Sequence, residues 1–259
     1  MRKSEENKYQ IHALVKGLTI LDCFRDDDEF SITELGQIAD MPGSSVQRIV
    51  NTFEFMGYLY QNPENKKYRL SPKLLQNVIK CSNFLKWREQ ARKHMLALNG
   101  QFGEGVNLAV RNHDKCSYIE MVESKHLLRP NFTFDDSYPI HCTALGRSLL
   151  CDLPDELIMA ILPEKLPALT KFTNTDKKEV LRTIREIKEK KYAIDDEEFY
   201  IGLCCVGAPV FGIKNKVVAA LSVTAPKVRM TQDIIERLIP AVIDTTRKIS
   251  DEYIKCFGE

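Results

Sequence analysis

Apolar residues near the N-terminus recur at the spacing of an amphipathic helix. Between residues 11 and 24 one stripe is formed by Leu14, Val15, Leu18, Leu21 and Phe24. Steps of three and four residues predict a first helix here. The segment Ser31-Ile-Thr-Glu34 has the form of a capping box, so a second helix is predicted from Ser31 to about Ala39. Pro42 and Gly43 then interrupt the helical pattern.

A third helix is predicted directly after this interruption. The segment from Ser44 to Gln47 repeats the capping pattern, and the apolar positions after it can face a core: Val46, Ile49, Val50, Phe53 and Met56. The opposite face is polar and carries Ser44, Ser45, Gln47, Arg48, Asn51 and Thr52. A second helix with such side chains near its N-terminus suits base reading in a major groove, where arginine addresses guanine and glutamine or asparagine addresses adenine. Any three-helix domain also has a polar face, so that alternative stays open.

A β-hairpin is predicted after the third helix. Residues 58–70 form two segments around a polar turn at residues 63–65, and the alternating positions are Tyr58, Tyr60, Tyr68 and Leu70. A hairpin in this place is a wing. Residues 41–80 carry six basic and two acidic side chains, a net charge of +4, and Lys66 and Lys67 are candidate phosphate contacts. We expect the acidic run at residues 26–29 to lie in a loop away from the DNA.

The remainder of the chain predicts an α+β domain. Residues 71–99 are predicted to form one connector helix between an N-terminal domain of residues 1–70 and a C-terminal domain of residues 100–259. Two strand pairs are predicted there, 105–111 with 115–122 and 203–211 with 217–224. Helices are predicted at 143–151, 154–161, 175–190 and 231–253. Adjacent hairpins separated by helices favour an antiparallel sheet with helices packed on it.

Composition excludes some classes of protein and leaves others open. The chain has 259 residues, enough for two domains, and no apolar run reaches the roughly 18 residues of a membrane span. The polar start MRKSEENKYQ lacks the core of a signal peptide, so we expect a cytoplasmic protein. A net charge of +1 neither requires nor excludes nucleic acid. Eight scattered cysteines without C-x-x-C spacing indicate reduced core thiols, and no cofactor or metal is predicted.

The order of these segments resembles that of the IclR family of transcriptional regulators over nearly the whole chain. SITELGQIADMPGSSVQRIVNTFEFMGYL and KKYRLSP are similar to its DNA-binding half. LLRPNFTFDDSYPIHCTALGRSLL, YAIDDEEFYIGLCCVGAPVF and VVAALSVTAP correspond in order to the segments that frame its effector pocket. The resemblance implies a winged helix-turn-helix, a GAF-like domain that binds a small molecule, and a homodimer or dimer of dimers. It also implies repression at a palindromic operator in double-stranded DNA.

The resemblance also implies a set of effector-binding residues. They are Ala144, Leu145, Asp195, Cys205, Ser222 and Thr224. Loop amides before a helix favour an anionic group, and alternation places both hydroxyls on one strand face, so a carboxylate-bearing metabolite is expected. Ala144 and Leu145 are bulkier than the family's usual pair and Arg147 stands where lysine is common, which predicts a tighter pocket. The alternatives are that Asp195 begins a solvated turn, that Cys205 packs the core, and that both hydroxyls are ordinary strand positions.

Two other functions are compatible with single residues. His141, Cys142, Cys205 and Asp195 could form a thiol or metal site of an enzyme if the fold gathered them. No nucleophile elbow, phosphate loop or zinc-binding helix motif accompanies them, so an enzyme is not predicted. A redox or metal sensor could use the adjacent Cys204 and Cys205, although strand alternation would send only one of them into a pocket.

Overall fold

Four helices and a hairpin are found among the described residues of the N-terminal part of the chain. The computed structural model describes residues 11–24, 28–79, 81–134 and 137–258, without the side chains of residues 77–79. The described residues up to Ser82 form one compact unit, and those from Asn83 onward form another. The elements of the first unit are α1 (His12–Leu21), α2 (Ile32–Ala39), α3 (Gly43–Phe55), β1 (Leu59–Gln61), β2 (Tyr68–Leu70) and α4 (Lys73–Ile79).

Helix α2 begins and ends as its sequence predicts. The Glu34 amide donates to the Ser31 hydroxyl at 3.3 Å, and the Ser31 amide donates to the Glu34 carboxylate at 2.7 Å, which completes the capping box. At the other end Asp40 adopts a left-handed conformation with φ 52°, and the Met41 amide donates to the Gly36 carbonyl. A Cβ on Gly36 would lie 2.9 Å from the Met41 carbonyl oxygen, so this turn requires glycine.

The second capping box predicted at Ser44 is wrong. Helix α3 begins at Gly43, one residue earlier, and its N-cap is Pro42, which makes no side-chain cap. The side-chain amide of Gln47 instead donates to the side-chain oxygen of Asn51, one turn further along the helix. Proline holds φ near the helical value in advance, at −60° here, so the helix starts without a polar cap.

Helix α1 forms where the sequence predicts it, and much of its apolar stripe is exposed. Leu14 is 59% exposed, and Val15 and Leu18 are exposed as well. The residues that face the core are Gly17 and Ile20, and a Cβ on Gly17 would lie 3.5 Å from the ring of Phe53 in α3. A methyl group at position 17 would make an ordinary van der Waals contact with Phe53. The apolar stripe is therefore divided, because Leu21 and Phe24 pack against the core while the leucines before them are exposed.

The wing forms with a different inward face from the one predicted on its first strand. Leu59 pairs with Leu70 and Tyr60 with Arg69, so Leu59 is buried while Tyr60 is exposed under the Arg69 guanidinium. Tyr68 is buried as predicted and exchanges two backbone hydrogen bonds with Phe30, which adds a third short strand segment. The sheet register, rather than residue size, decides which side chain faces the core.

The acidic run is not separate from the wing. Residues 26 and 27 lie outside the described residues, but Glu29 accepts hydrogen bonds from Asn62 at 3.1 Å and from Asn65 at 2.6 Å. Arg69 lies 3.9 Å from the same carboxylate. Glu29 therefore holds the wing turn, while the expectation that the run lies away from the DNA stays a prediction.

The C-terminal unit is a six-stranded antiparallel sheet between two layers of helices. Its strands are β3 (Gly105–Asn112), β4 (Lys115–Val122), β5 (Ser137–Pro139), β6 (Ala193–Asp196), β7 (Leu203–Phe211) and β8 (Val217–Pro226), in the order β5-β4-β3-β8-β7-β6. Its helices are α5 (Ser82–Phe102), α6 (Ala144–Ser148), α7 (Asp155–Ile161), α8 (Lys177–Lys190) and α9 (Gln232–Phe257). The predicted α+β architecture is confirmed. The predicted connector contains two helices, α4 and α5, instead of one.

Each face of the sheet has its own core. Helices α5 and α9 cover one face, where the buried Trp87 donates to the Ile249 carbonyl at 3.1 Å and stacks edge to face on Tyr253. Helices α6, α7 and α8 cover the other face around Leu150, Ile158 and Ile184. Among the described residues, no helix is long and apolar enough to cross a membrane.

A β-bulge changes which face β4 presents along its length. Leu108 of β3 pairs with Glu120, whereas the next residue, Ala109, pairs with Tyr118, so one residue of β4 is extra. Before the bulge, Tyr118 faces the α6 side of the sheet. After it, Glu120 faces α5 and pairs with Arg88 at 2.9 Å and with Arg92 at 2.5 Å. The bulge therefore aims an aromatic ring at one side and a buried carboxylate at the other.

Two glycines set α6 close to the sheet. A Cβ on Gly207 of β7 would lie 3.1 Å from the Ala144 side chain. A Cβ on Gly146 would overlap the carbonyl group of Ile140 in the preceding segment. Both segments belong to closely packed layers and cannot move apart without disturbing them. The close contact between α6 and the sheet therefore requires glycine at both positions.

We predict that Gly146→Ala destabilises the protein by about 3 kcal/mol, because the added methyl group overlaps backbone atoms. Gly100→Ala is the matched control. Gly100 lies in α5 with nothing within 4 Å of a built Cβ, so alanine should stabilise by about 0.5–1 kcal/mol. Urea unfolding of both variants measures the difference, and equal stabilities would contradict the role given to Gly146.

Candidate DNA-binding surface and effector pocket

Helix α3 presents the polar face that the sequence predicts. Ser44, Arg48, Asn51 and Thr52 are exposed, and Ser45 and Gln47 are half-buried. The Gln47 amide donates to Asn51 at 2.7 Å, and the Thr52 hydroxyl donates to the Arg48 carbonyl at 2.8 Å. The Arg48 guanidinium forms no ion pair with any described residue, so its five donors remain available for a base edge or a phosphate.

The two wing lysines are placed differently. Lys66 is exposed in the wing turn with a left-handed φ of 59°. Lys67 is half-buried, and its ammonium lies 3.1 Å from the Glu34 carboxylate. The hydrogen bond from the Ser31 amide lowers the pKa of Glu34 to about 2, and Lys67 adds to this effect. Because Glu34 is ionised at neutral pH, it competes with any phosphate for Lys67, whereas Lys66 has no such partner among the described side chains.

In the C-terminal unit, strand register aligns most of the predicted pocket residues. Asp195 of β6 pairs with Cys205 of β7, and Cys205 pairs with Thr224 of β8. Ser222 lies two residues before Thr224 and pairs with Asn107 of β3. Cross-strand neighbours project to the same face of a sheet, so these side chains form one polar patch.

The hydroxyl groups of this patch differ in their partners. The Thr224 hydroxyl donates to the Cys205 sulfur at 3.3 Å and accepts from the Asn107 amide at 3.4 Å. Ser222 is 1% exposed, and its hydroxyl makes no hydrogen bond with the described part of the chain. The Ser222 hydroxyl therefore keeps its donor and both acceptor positions for a ligand in the cavity.

Asp195 is a buried carboxyl group rather than part of a solvated turn, so that alternative is wrong. Its side chain accepts from the amides of Glu198 at 3.0 Å and Phe199 at 3.3 Å. Burial raises the pKa of Asp195 to about 7, against the opposing influence of Arg147 and the two amides. The neighbouring Asp196 is the exposed acid and pairs with Lys227.

Helix α6 closes the pocket from above the sheet. The Thr143 hydroxyl caps this helix by accepting from the Gly146 amide at 3.0 Å, and Ala144 and Leu145 follow in its first turn. Arg147 is buried and donates to Glu198 and to the Ile194 carbonyl, both at 2.6 Å. These contacts tie α6 to the segment that follows Asp195, so both sides of the pocket are held together.

All six predicted effector residues line one cavity, together with others that sequence reasoning missed. The cavity has a volume of about 20 Å³. The missed lining residues are Cys116, Tyr118, Phe132, Tyr138, Thr143, Phe199 and Leu203. Four of them are aromatic, and their rings contact each other edge to face or tilted, with centroids 4.8–5.8 Å apart. The alternation of Cys116 and Tyr118 on β4 was the one local signal that could have found them.

The cysteines do not form a reactive centre. Cys204 packs in the core beside α5 and α9, whereas Cys205 faces the cavity, as alternation predicts. Burial raises the pKa of Cys142 to about 12 and that of Cys205 well above its ordinary value, so both thiols stay protonated. The buried His141 contacts the Pro167 carbonyl at 3.1 Å, and burial lowers its pKa. Within the described ranges, no cluster of His, Cys, Asp and Glu could hold a metal ion.

A winged helix-turn-helix and an antiparallel-sheet domain with an enclosed polar cavity define a DNA-binding regulator with a ligand-binding domain. Residues 13–63 match the IclR helix-turn-helix domain, and residues 82–251 match the bacterial transcriptional regulator IclR C-terminal domain. The chain therefore belongs to the IclR family of bacterial transcriptional regulators, which are not enzymes. The resemblance found in the sequence is confirmed.

Individual relatives agree with this assignment over nearly the full length. The HTH-type transcriptional regulator KdgR of Dickeya chrysanthemi is 29% identical over 243 residues, 93% of this chain and 80% of the relative. The transcriptional repressor IclR of Escherichia coli K12 is 27% identical over 251 residues, covering 94% and 90%. An IclR homologue from Microbacterium hydrocarbonoxydans, solved in complex with 4-hydroxybenzoate, has a TM-score of 0.80 at 22% identity, covering 94% and 99%.

We predict that the buried thiols of Cys142 and Cys205 resist alkylation in the folded protein. Cys81 is exposed and should react with iodoacetamide at pH 8 within minutes, whereas the buried, protonated Cys142 and Cys205 should react only in denaturant. Mass spectrometric mapping of modified peptides with time measures this order. Rapid labelling of Cys205 in the native protein would instead favour the redox-sensor alternative.

Proposed function

We propose that the protein is a repressor that binds a palindromic operator as a homodimer or dimer of dimers and responds to a small carboxylate-bearing metabolite. The observation that carries the proposal is the single cavity around Ala144, Leu145, Asp195, Cys205, Ser222 and Thr224. A ligand there can change DNA binding only if it has different affinities for two conformations of the protein.

The DNA contacts are proposed from the exposed groups of α3 and the wing. Arg48 and Asn51 have the donors and acceptors needed for guanine and adenine, while Ser44, Ser45 and Thr52 can bind phosphate or base edges. Gln47 shares this role through its bond to Asn51. Lys66 is the stronger candidate for a phosphate contact. Lys67 is already paired with Glu34, so a phosphate would have to share its ammonium group with that carboxylate or replace it.

Self-association is supported by the outer face of α1. Ile11, Leu14, Val15 and Leu18 form an apolar strip that is exposed among the described residues of the first unit. A second copy would bury this strip and place two α3 helices on successive half-sites of a palindromic operator.

The carboxylate class is supported by the polar groups of the cavity. The first turn of α6 presents the amides of Ala144 and Leu145, and the Ser222 hydroxyl can donate to a carboxylate oxygen. The 4-hydroxybenzoate in the Microbacterium hydrocarbonoxydans homologue is an acid of this kind. Asp195 lines the same cavity, so an anion is accommodated best while Asp195 is protonated.

The direct test is binding of the purified protein to the DNA upstream of its own gene at several salt concentrations, with and without a panel of small carboxylic acids. The proposal expects tight, salt-sensitive binding that one acid weakens. No preference over random DNA under any condition would refute it.

We predict a division of labour between Arg48 and Lys66. Arg48→Ala should weaken operator binding by about 1–3 kcal/mol and relax base preference, because a base contact is lost. Lys66→Ala should weaken binding to operator and random DNA alike and reduce the salt slope by about 1. Lys67→Ala is the control with a smaller effect, since Glu34 already neutralises Lys67. Fluorescence anisotropy on both DNAs measures all three, and identical profiles for Arg48→Ala and Lys66→Ala would rule the division out.

We predict that acid binding weakens as pH rises through the pKa of Asp195. This pKa is about 7, so the proportion of neutral Asp195 falls about ten-fold between pH 6 and pH 8, and affinity for an anion should fall with it. Asp195→Asn keeps an oxygen for the two amides and stays neutral, so its affinity should be flat over this range. Calorimetry at pH 6, 7 and 8 checks this, and a wild-type affinity independent of pH would contradict it.

A further inference from the structure

A large open groove adjoins the small effector cavity and shares side chains with it. The groove has a volume of about 560 Å³, against about 20 Å³ for the inner cavity. Phe132, Phe199 and Leu203 border both. Sites for small molecules usually measure about 300–1,000 Å³, so the groove has the room that the inner cavity lacks.

The inner cavity as it stands holds about one water molecule. The groups that could orient a ligand are nevertheless inside it, on the row that contains Asp195, Cys205 and Thr224. A ligand that reaches them must therefore displace a side chain of the wall shared with the groove, which consists of Phe132, Phe199 and Leu203. Leu203 lies in β7 and is held by the sheet.

Of the side chains in this wall, Phe132 has the fewest backbone restraints. It lies in the segment after β4 that has no regular secondary structure, and its backbone makes no hydrogen bond with the described residues. Phe199 is held: its amide donates to Asp195, and the hydroxyls of Thr170 and Thr173 donate to the preceding carbonyls of Glu197 at 2.7 Å and Glu198 at 2.6 Å. Phe132 also borders a third cavity of about 60 Å³, so one ring separates three spaces.

The far wall of the groove is apolar and exposed. Its outermost side chains are Leu128, Tyr200, Ile201 and Val228, of which Val228 is 81% exposed. An exposed apolar patch beside a polar cavity marks a surface that is covered when the site is occupied. Continuity with the cavity through Phe132 and Phe199 indicates that the occupant is the ligand itself.

We infer that the effector is an elongated amphipathic acid whose head binds at Ser222 and Thr224, whose body takes the place of the Phe132 ring, and whose apolar tail lies in the groove beside Ile201 and Val228. The inference rests on the proposed effector site and adds a second subsite to it. Tyr118 and Tyr138, which now contact Phe132 with centroids 5.8 and 5.4 Å away, would contact the body of the ligand. Two- and three-carbon acids would gain nothing from this wall and would bind weakly.

The test is calorimetric titration of the full-length protein with acetate, butyrate and octanoate. Affinity should rise about two- to four-fold for each methylene added between butyrate and octanoate, as expected for apolar groups leaving water. Ile201→Ser and Val228→Ser should lower octanoate affinity about five- to ten-fold and leave butyrate unchanged. Ile213→Ser, an exposed isoleucine outside the groove, is the matched control. Ser222→Ala should weaken both acids.

The other outcomes separate this inference from the proposed function. If all three acids bind with equal affinity and Ser222→Ala weakens each of them, the groove subsite is refuted while the proposed effector site is supported. Binding of no acid, or binding indifferent to Ser222→Ala, would overturn both. If Ile201→Ser and Val228→Ser change the sedimentation coefficient while chain length has no effect, the groove is an interface between copies, and the subsite is again refuted.

Discussion

The antiparallel register of β6, β7, β8 and β3 determines which side chains line the proposed effector site. It places Asp195, Cys205 and Thr224 in one row, and Ser222 beside Asn107 in the next. A slip of one residue between β7 and β8 would turn Thr224 and Ser222 toward α9 and bring Val223 to the pocket. Both faces of the sheet are buried under helices, so the slip would move these hydroxyls into the apolar core beside α9. Because burying polar groups there is unfavourable, the observed register is strongly preferred.

The layer above the sheet depends on the same register. Gly207 pairs with Ser222, and its missing side chain is what lets Ala144 pack against β7. Arg147 then reaches Glu198, and Glu198 and Phe199 donate their amides to Asp195. The enclosure produced in this way removes Asp195 from water and raises its pKa to about 7. A carboxyl group of ordinary acidity thus becomes sensitive to neutral pH through packing alone.

Sequence patterns predicted the long elements well and the short ones poorly. The strands β3, β4, β7 and β8 agree with their predicted bounds within two residues, because eight or more residues of β-branched and apolar character leave little ambiguity. Strands β5 and β6 have three and four residues, too few for a period to be visible, and both were missed. The equally short β1 and β2 were predicted because a polar turn between them indicates a hairpin. Asp195 lies in β6, and its acidic neighbours in the sequence suggest a solvated turn. Without the strand, its burial could not be predicted.

Other errors have the same origin in tertiary contacts. The apolar stripe of residues 14–24 has helical spacing, but tertiary contacts pack only its last two members, Leu21 and Phe24, against the core and leave the others exposed. Phe132 and Phe199 are 67 positions apart in coil segments, so no local pattern could place them in one wall. The six effector residues were predicted through resemblance to the family rather than through periodicity. Their convergence on one cavity supports that prediction, while binding itself stays a proposal.

We propose that occupation of the cavity changes DNA binding. The most direct test measures the operator affinity of the wild type and of Ser222→Ala, each with and without a bound acid. Ser222 makes no hydrogen bond to the described residues, so its variant should bind operator with wild-type affinity when no acid is present. The acid should weaken operator binding by the wild type far more than by Ser222→Ala, and operator should weaken acid binding by the same factor. Equal responses of the two proteins to saturable acid would contradict the claim.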